Sequence, residues 1–270
     1  MNIPFFDRRP QVAVVRMAGL IAATRAPGVG GPALNVAGLA PALERAFALP
    51  RLAGVVLALD SPGGSAVQSS LISARVRRLA EAKGVPVVAC VEDAAASGGY
   101  WIACAADEIV VDPASVVGSI GVISAGFGFE GALERLGVER RVVTSGEDKS
   151  FLDPFRPADP AQQERLQALL ASLHEEFKTW VRARRGERLK ASEAELFSGR
   201  FWTGREAVAL GLADRLGDLH GEVARRFGEG VRVRRFDVRR PRWPWRLFSA
   251  AAGAAVELLE ERAARARIGL

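Results

Sequence analysis

Hydrophobic positions along this 270-residue chain fall into short β-branched runs separated by longer stretches with helical spacing. Residues 11–21 (QVAVVRMAGLI), 54–60 (GVVLALD), 85–91 (VPVVACV) and 107–113 (DEIVVDP) read as buried strands. Between them, VAGLAPALERAFAL from Val36 and residues 66–83 repeat apolar positions at helical intervals. A long amphipathic helix is expected from Pro160 to about Arg184. The Gly/Pro-rich segment 24–35, TRAPGVGGPALN, reads as a loop. Strands alternating with helices predict parallel strands joined by crossovers, an α/β fold. There is no internal repeat. After Gly228 the composition turns to Arg/Trp/Pro and then to Ala-rich helix, so a main domain of 1–228 and a tail of 229–270 are expected.

Composition narrows the classes without choosing among them. Hydrophobic residues at 49% and charged residues at 25% suit a globular core and argue against disorder. The net charge is +6, and nine arginines between Arg225 and Arg246 put much of the basicity near the C-terminal end. A basic tail points to an acidic surface, with a solvated terminus as the plain alternative. Cys90 and Cys104 sit in apolar runs without metal-ligand spacing, so two buried reduced thiols are expected, with no metal and no cofactor. The opening MNIPFFDRRPQVAVV lacks the apolar run of a signal peptide or membrane span. A cytoplasmic protein is the resulting expectation.

Two stretches carry candidate chemistry. In LDSPGGS (59–65), a strand ends at Asp60, and Gly63 and Gly64 make a tight turn whose amides can approach a ligand. That is what an oxyanion hole requires, although a turn of pure shape uses the same residues. In AAASGGYW (94–101), Ser97 follows a strand where a helix can begin. It reads either as a helix cap or as a nucleophile beside the Gly98 amide and the helix dipole. Neither histidine, His174 nor His220, lies in a stretch that suggests a catalytic base. Lysine is scarce, with four residues against 33 arginines, and Lys149 stands in VVTSGEDKSFLDPF. Arginine is effectively always protonated, whereas a desolvated lysine can act as a base.

In order, LDSPGG, AAASGGYWIACAADEIVVDPASVVGSIGV, SGEDKSFLDPF and FSGRFWTGREAVALGLADRLGD resemble the signal peptide peptidase A family, S49, over roughly residues 10–220. The resemblance implies a Clp protease/crotonase-like spiral of ββα units. It also implies a Ser–Lys dyad: Ser97 matches the nucleophile, Lys149 the general base, and Ser119 a residue orienting the lysine amine. Gly63 and Gly98 match the oxyanion-hole positions, with Gly64 close behind Gly63. Many relatives carry an N-terminal membrane anchor and larger relatives a duplicated core, and neither is expected in this sequence. Asp148, beside Lys149, would oppose its deprotonation if it pointed at the amine, and is expected to point elsewhere.

The implied activity is hydrolysis of peptides, such as signal-peptide remnants or membrane-associated polypeptides. The alternatives are a non-catalytic membrane scaffold and an acyl-CoA enzyme of the crotonase-like superfamily. The small, apolar residues 116–131, with Gly118, Ile120 and Gly121, are expected to line the groove for an extended peptide. The family resemblance implies homo-oligomers with active sites near protomer contacts. In the tail, Trp243 and Trp245 among arginines suggest an anionic membrane surface, hence a peripheral place on its inner face. Packing on a neighbouring protomer is the competing role for this segment. No nucleic-acid-binding motif accompanies the arginines.

Overall fold

The computed structural model describes residues 9–24 and 33–237. Most of the 24–35 loop and the tail beyond 237 lie outside the described residues. The chain divides into two compact units, one formed by residues 1–120 and 178–270, the other by 121–177.

The larger unit is built on an eight-stranded sheet. In chain order it begins with β1 (Gln11–Ala18), α1 (Val36–Phe47), β2 (Leu52–Ser61), α2 (Ala66–Lys83), β3 (Val87–Ala96), α3 (Gly98–Ala103), β4 (Glu108–Val111) and β5 (Val116–Gly118). In the smaller unit come α4 (Glu130–Arg135) and a 3-10 turn at Glu147–Ser150, followed by α5 (Pro160–Arg185), whose last residues count with the larger unit. The larger unit ends with α6 (Glu193–Leu196), β6 (Phe201–Thr203), α7 (Gly204–Ala209), β7 (Arg215–Leu216), α8 (Leu219–Phe227) and β8 (Arg232–Phe236).

The strand order is β6-β5-β3-β2-β1-β8, with β4 against β3 and β7 against β4. Every pair is parallel except β5–β6. β3 is shared along its length: Val88–Val91 pair with β4, whereas Ala94–Ala96 pair with β5. A register irregularity on β2 between Leu59 and Ser61 lies beside this change of partner. The sheet thereby forks just before Ser97. The core is apolar from both faces, with Val14, Val56, Val88 and Val110 in one cluster. β-Branched runs buried on both faces are the expected signature of parallel strands.

Helix limits follow local chemistry. The Asn35 side chain caps α1 by accepting from the Gly38 amide at 2.8 Å, and Ser65 caps α2 by accepting from Gln68 at 3.3 Å. Gly84, at φ 66°, closes α2 in the left-handed conformation. The predicted helix 66–83 is found with those bounds, and the predicted strand 85–91 extends to Ala96. The sheet continues past the compositional change at Gly228, because β8 pairs in parallel with β1.

In the smaller unit, the Phe129 and Phe155 rings stack with centroids 5.5 Å apart. Arg140 lies over the Phe155 ring and pairs with Asp153 at 2.8 Å. A cavity of about 360 Å³ lined by Glu130, Leu133, Val138, Arg140 and Phe155, among others, includes none of the expected site residues.

Candidate active site

Ser97 sits in the single-residue joint between β3 and α3, with φ 51° and ψ −119°. This conformation is strained for a residue with a Cβ, by about 1–3 kcal/mol, and survives only where the surroundings impose it. They do so here from both sides. The Ser97 amide donates to the Gly118 carbonyl on β5 at 2.8 Å, and its carbonyl accepts from the Trp101 amide at 3.0 Å. The side chain makes no capping hydrogen bond, so the cap reading fails. A half-buried serine on a sharp strand-to-helix turn has the geometry of a nucleophile elbow. α3 is only six residues long, so the adjacent amides contribute more field at Ser97 than a macrodipole would.

The short helix is held tightly. The Tyr100 hydroxyl, fully buried, donates to the Leu212 carbonyl at 2.8 Å. The Trp101 carbonyl accepts from Trp180 Nε1 at 3.0 Å and from Ser73 Oγ at 3.3 Å. Arg184 donates to the Cys104 and Ala106 carbonyls at 2.9 and 3.0 Å, satisfying the C-terminal end. Arg185, beside it and buried, binds the Gly211 carbonyl and the Asp214 carboxylate. Burial alone would raise the Asp214 carboxyl, but the Arg185 guanidinium and the Ile109 amide hold it below the usual carboxylate range.

The glycine turn lies against this joint. Gly63 has φ 105°, and a Cβ there would fall 2.8 Å from both the Ala96 carbonyl and Ser97 Cβ, and 2.9 Å from the Gly98 nitrogen. A side chain on Gly98 would collide with Ser69 Oγ and come within 3.4 Å of the Gly64 nitrogen. Residues 63, 64, 97 and 98 are thus packed backbone to backbone. A strap after β1 braces the turn: the Ile21 amide donates to the Gly63 carbonyl, and the Ser65 amide to the Ile21 carbonyl, both at 2.8 Å. The Gly63 amide donates to Ser61 Oγ at 3.2 Å. Neither the Gly64 nor the Gly98 amide donates to another described residue.

Ser119 follows β5 with φ 53°, its amide bonded to the Arg200 carbonyl at 2.7 Å. Gly118 has φ 110°, and a side chain on it would strike the Trp202 ring. The Ile120 side chain is fully buried, so any contact it offers a peptide is through its backbone. Gly121 opens the smaller unit. Lys149 belongs to that unit, exposed in the 3-10 turn, whereas Ser97 belongs to the larger one. Asp148 pairs with Arg165, which engages its carboxylate.

The model of peptidase family S49 matches residues 80–233. The chain belongs to that family. A relative from Brucella abortus, 46% identical over 228 residues, is named Na(+)/H(+) antiporter NhaA, and the match covers 83% of this chain and 30% of that one. The chloroplastic serine protease SPPA of Arabidopsis thaliana is 31% identical over 218 residues, 80% of this chain and 32% of that one. The chain therefore spans about a third of the length of these relatives. A solved structure of the 1510-N membrane-bound stomatin-specific protease with a substrate peptide is 16% identical, with a TM-score of 0.48 over 94% of this chain and 99% of that one.

In this S49 chain the forked β3 and the mostly parallel sheet, with helices between its strands, make an α/β fold. Both cysteines are free and buried, with thiols pushed up to about 12, chiefly by burial, which makes them poor nucleophiles. His220 is exposed in the first turn of α8. Among the described residues no cluster of His, Cys, Asp and Glu could hold a metal, and no helix is long and apolar enough to cross a membrane. Sequence reasoning missed Ile21, Ser69 and Ser61 as parts of the site. Ser61 stood inside the LDSPGG motif, but its partner Gly19 is 42 residues away and gave no signal.

Proposed function

We propose that this chain is a serine endopeptidase in which Ser97 is the nucleophile and Lys149 the general base. The observation that carries the reading is the strained joint at Ser97, packed against the Gly63–Gly64 turn and the Gly98 amide. Lys149 takes the proton from Ser97 Oγ as the oxygen attacks a peptide carbonyl, and the amides of Gly98 and of the glycine turn stabilise the oxyanion. Lys149 passes that proton to the leaving amine, and water then hydrolyses the acyl-enzyme with the lysine again as base. Ser119 orients the lysine amine. Gly118, Ile120 and Gly121 offer backbone to an extended peptide substrate, and the protein works as a homo-oligomer.

The substrates are membrane-associated polypeptides or signal-peptide remnants, met at an anionic surface through the basic tail. Support for that setting is the Brucella relative, in which the matching region forms 30% of a chain named as an antiporter. Cleavage of a fluorogenic apolar peptide by wild type, Ser97→Ala and Lys149→Ala tests the reading. Both variants should lose activity. A wild type that hydrolyses acyl-CoA and no peptide would move the chain to the crotonase-like reading, and one that does neither would favour the scaffold.

A further inference from the structure

We infer that Ser61 is a positioning residue that sets the oxyanion turn against the nucleophile, an inference that rests on the peptidase reading above. Ser61 ends β2 and is fully buried. Its hydroxyl uses both of its capacities within the site. It donates to the Gly19 carbonyl at 2.7 Å and accepts from the Gly63 amide at 3.2 Å. On its other side, α3 lies directly on it: a Cβ added to Gly99 would be 2.6 Å from the Ser61 carbonyl oxygen and 3.2 Å from Ser61 Cβ. One small side chain therefore touches the strap after β1, the glycine turn, and the helix that begins beside Ser97.

The geometry explains why a hydroxyl is needed. Gly63, at φ 105°, has no side chain to fix its orientation. Its carbonyl is pinned by the Ile21 amide at 2.8 Å, and its amide by Ser61 Oγ. With the Ser61 hydroxyl gone, the peptide plane before Gly63 loses its anchor, while the Gly19 carbonyl loses its donor. Oxyanion donors act only when preorganised at the reacting carbonyl, and misplacement by about 1 Å costs about a hundredfold. The loss belongs to the transition state and not to substrate binding.

The test compares wild type with Ser61→Ala by steady-state hydrolysis of a fluorogenic peptide and by residue-resolved amide exchange. Ser61→Ala should lower kcat by about 10- to 100-fold with KM within about threefold. Exchange at the Gly63 amide should quicken at least about tenfold while β3 amides keep their rates. A kcat within twofold of wild type, a loss confined to KM, or unchanged Gly63 exchange overturns the assignment. So does faster exchange throughout β3, which marks a general packing defect. If Ser61→Ala does not fold, wild type decides: the Gly63 amide must exchange more slowly than that of Gly64, and equal rates overturn the proposal. A wild type without peptidase activity sinks the functional reading alone, because the exchange arm still judges the positioning.

Discussion

At the scale of single residues, the site is a matter of backbone that accepts no substitute. A methyl on Gly63 would face positive-φ strain and atoms of Ala96 and Ser97 at 2.8 Å. Gly63→Ala should therefore push the glycine turn away from Ser97 and lower kcat by about a hundredfold, the usual cost of a misplacement of about 1 Å. It should also destabilise the fold by about 1–3 kcal/mol, read from urea unfolding. Lys149→Arg makes a sharper distinction than Lys149→Ala. Arginine keeps the charge and cannot serve as the base, so both variants should fall to the same residual kcat. An active Lys149→Arg enzyme would remove Lys149 from the mechanism. Motif spacing picked out Ser97 and the glycines that pack against it, and it put forward Lys149, the base proposed above. The strain at Ser97 and the grip of Ser61 were not legible in the sequence, because both depend on contacts between distant segments.

At the scale of elements, Arg184 at the end of α5 satisfies carbonyls at the C-terminal end of the short α3, and the neighbouring Arg185 ties α5 to the segment at Asp214. The Arg185–Asp214 pair is buried, with side-chain exposures of 2% and 15%. Removing one partner of such a pair costs about 3–5 kcal/mol, because the other charge is left uncompensated. Asp214→Ala should lose stability of that order in urea at pH 7. The pH dependence has a definite sign. The native Asp214 carboxyl is held below its unfolded value near 3.9, so the pair contributes fully above that value. Its contribution fades as pH falls below about 4 through the lowered native pKa. Wild type should thus lose its advantage over Asp214→Ala in that acid range, and an advantage constant from pH 7 to pH 2 would contradict the account. Helical spacing and β-branched runs made most elements readable, with α2 found at its predicted bounds. Strand β3 outran its prediction because its last residues, Ala94–Ala96, are small and pair with β5, which periodicity does not register.

At the scale of the whole molecule, composition misleads about where the sheet ends. Arg232–Phe236 read as the beginning of a basic tail, yet they pair with β1 as β8. A truncation meant to isolate the tail should therefore stop after Asp237 and leave β8 in place. The full chain is predicted to float with vesicles containing anionic lipid, and the chain ending at Asp237 is predicted to stay behind. Equal behaviour of the two would assign the basic segment to assembly. The division into two units, with Ser97 in one and Lys149 in the other, was likewise invisible in the motif order, which runs without a break. Mass spectrometry of the protein after treatment with a fluorophosphonate probe tests whether Ser97 is the nucleophile. One adduct per chain is expected, mapped to Ser97 and absent from Ser97→Ala, with loss of peptide cleavage in step with labelling. A wild-type protein that cleaves peptide while Ser97 stays unmodified, or a Ser97→Ala protein that still cleaves, would contradict that assignment.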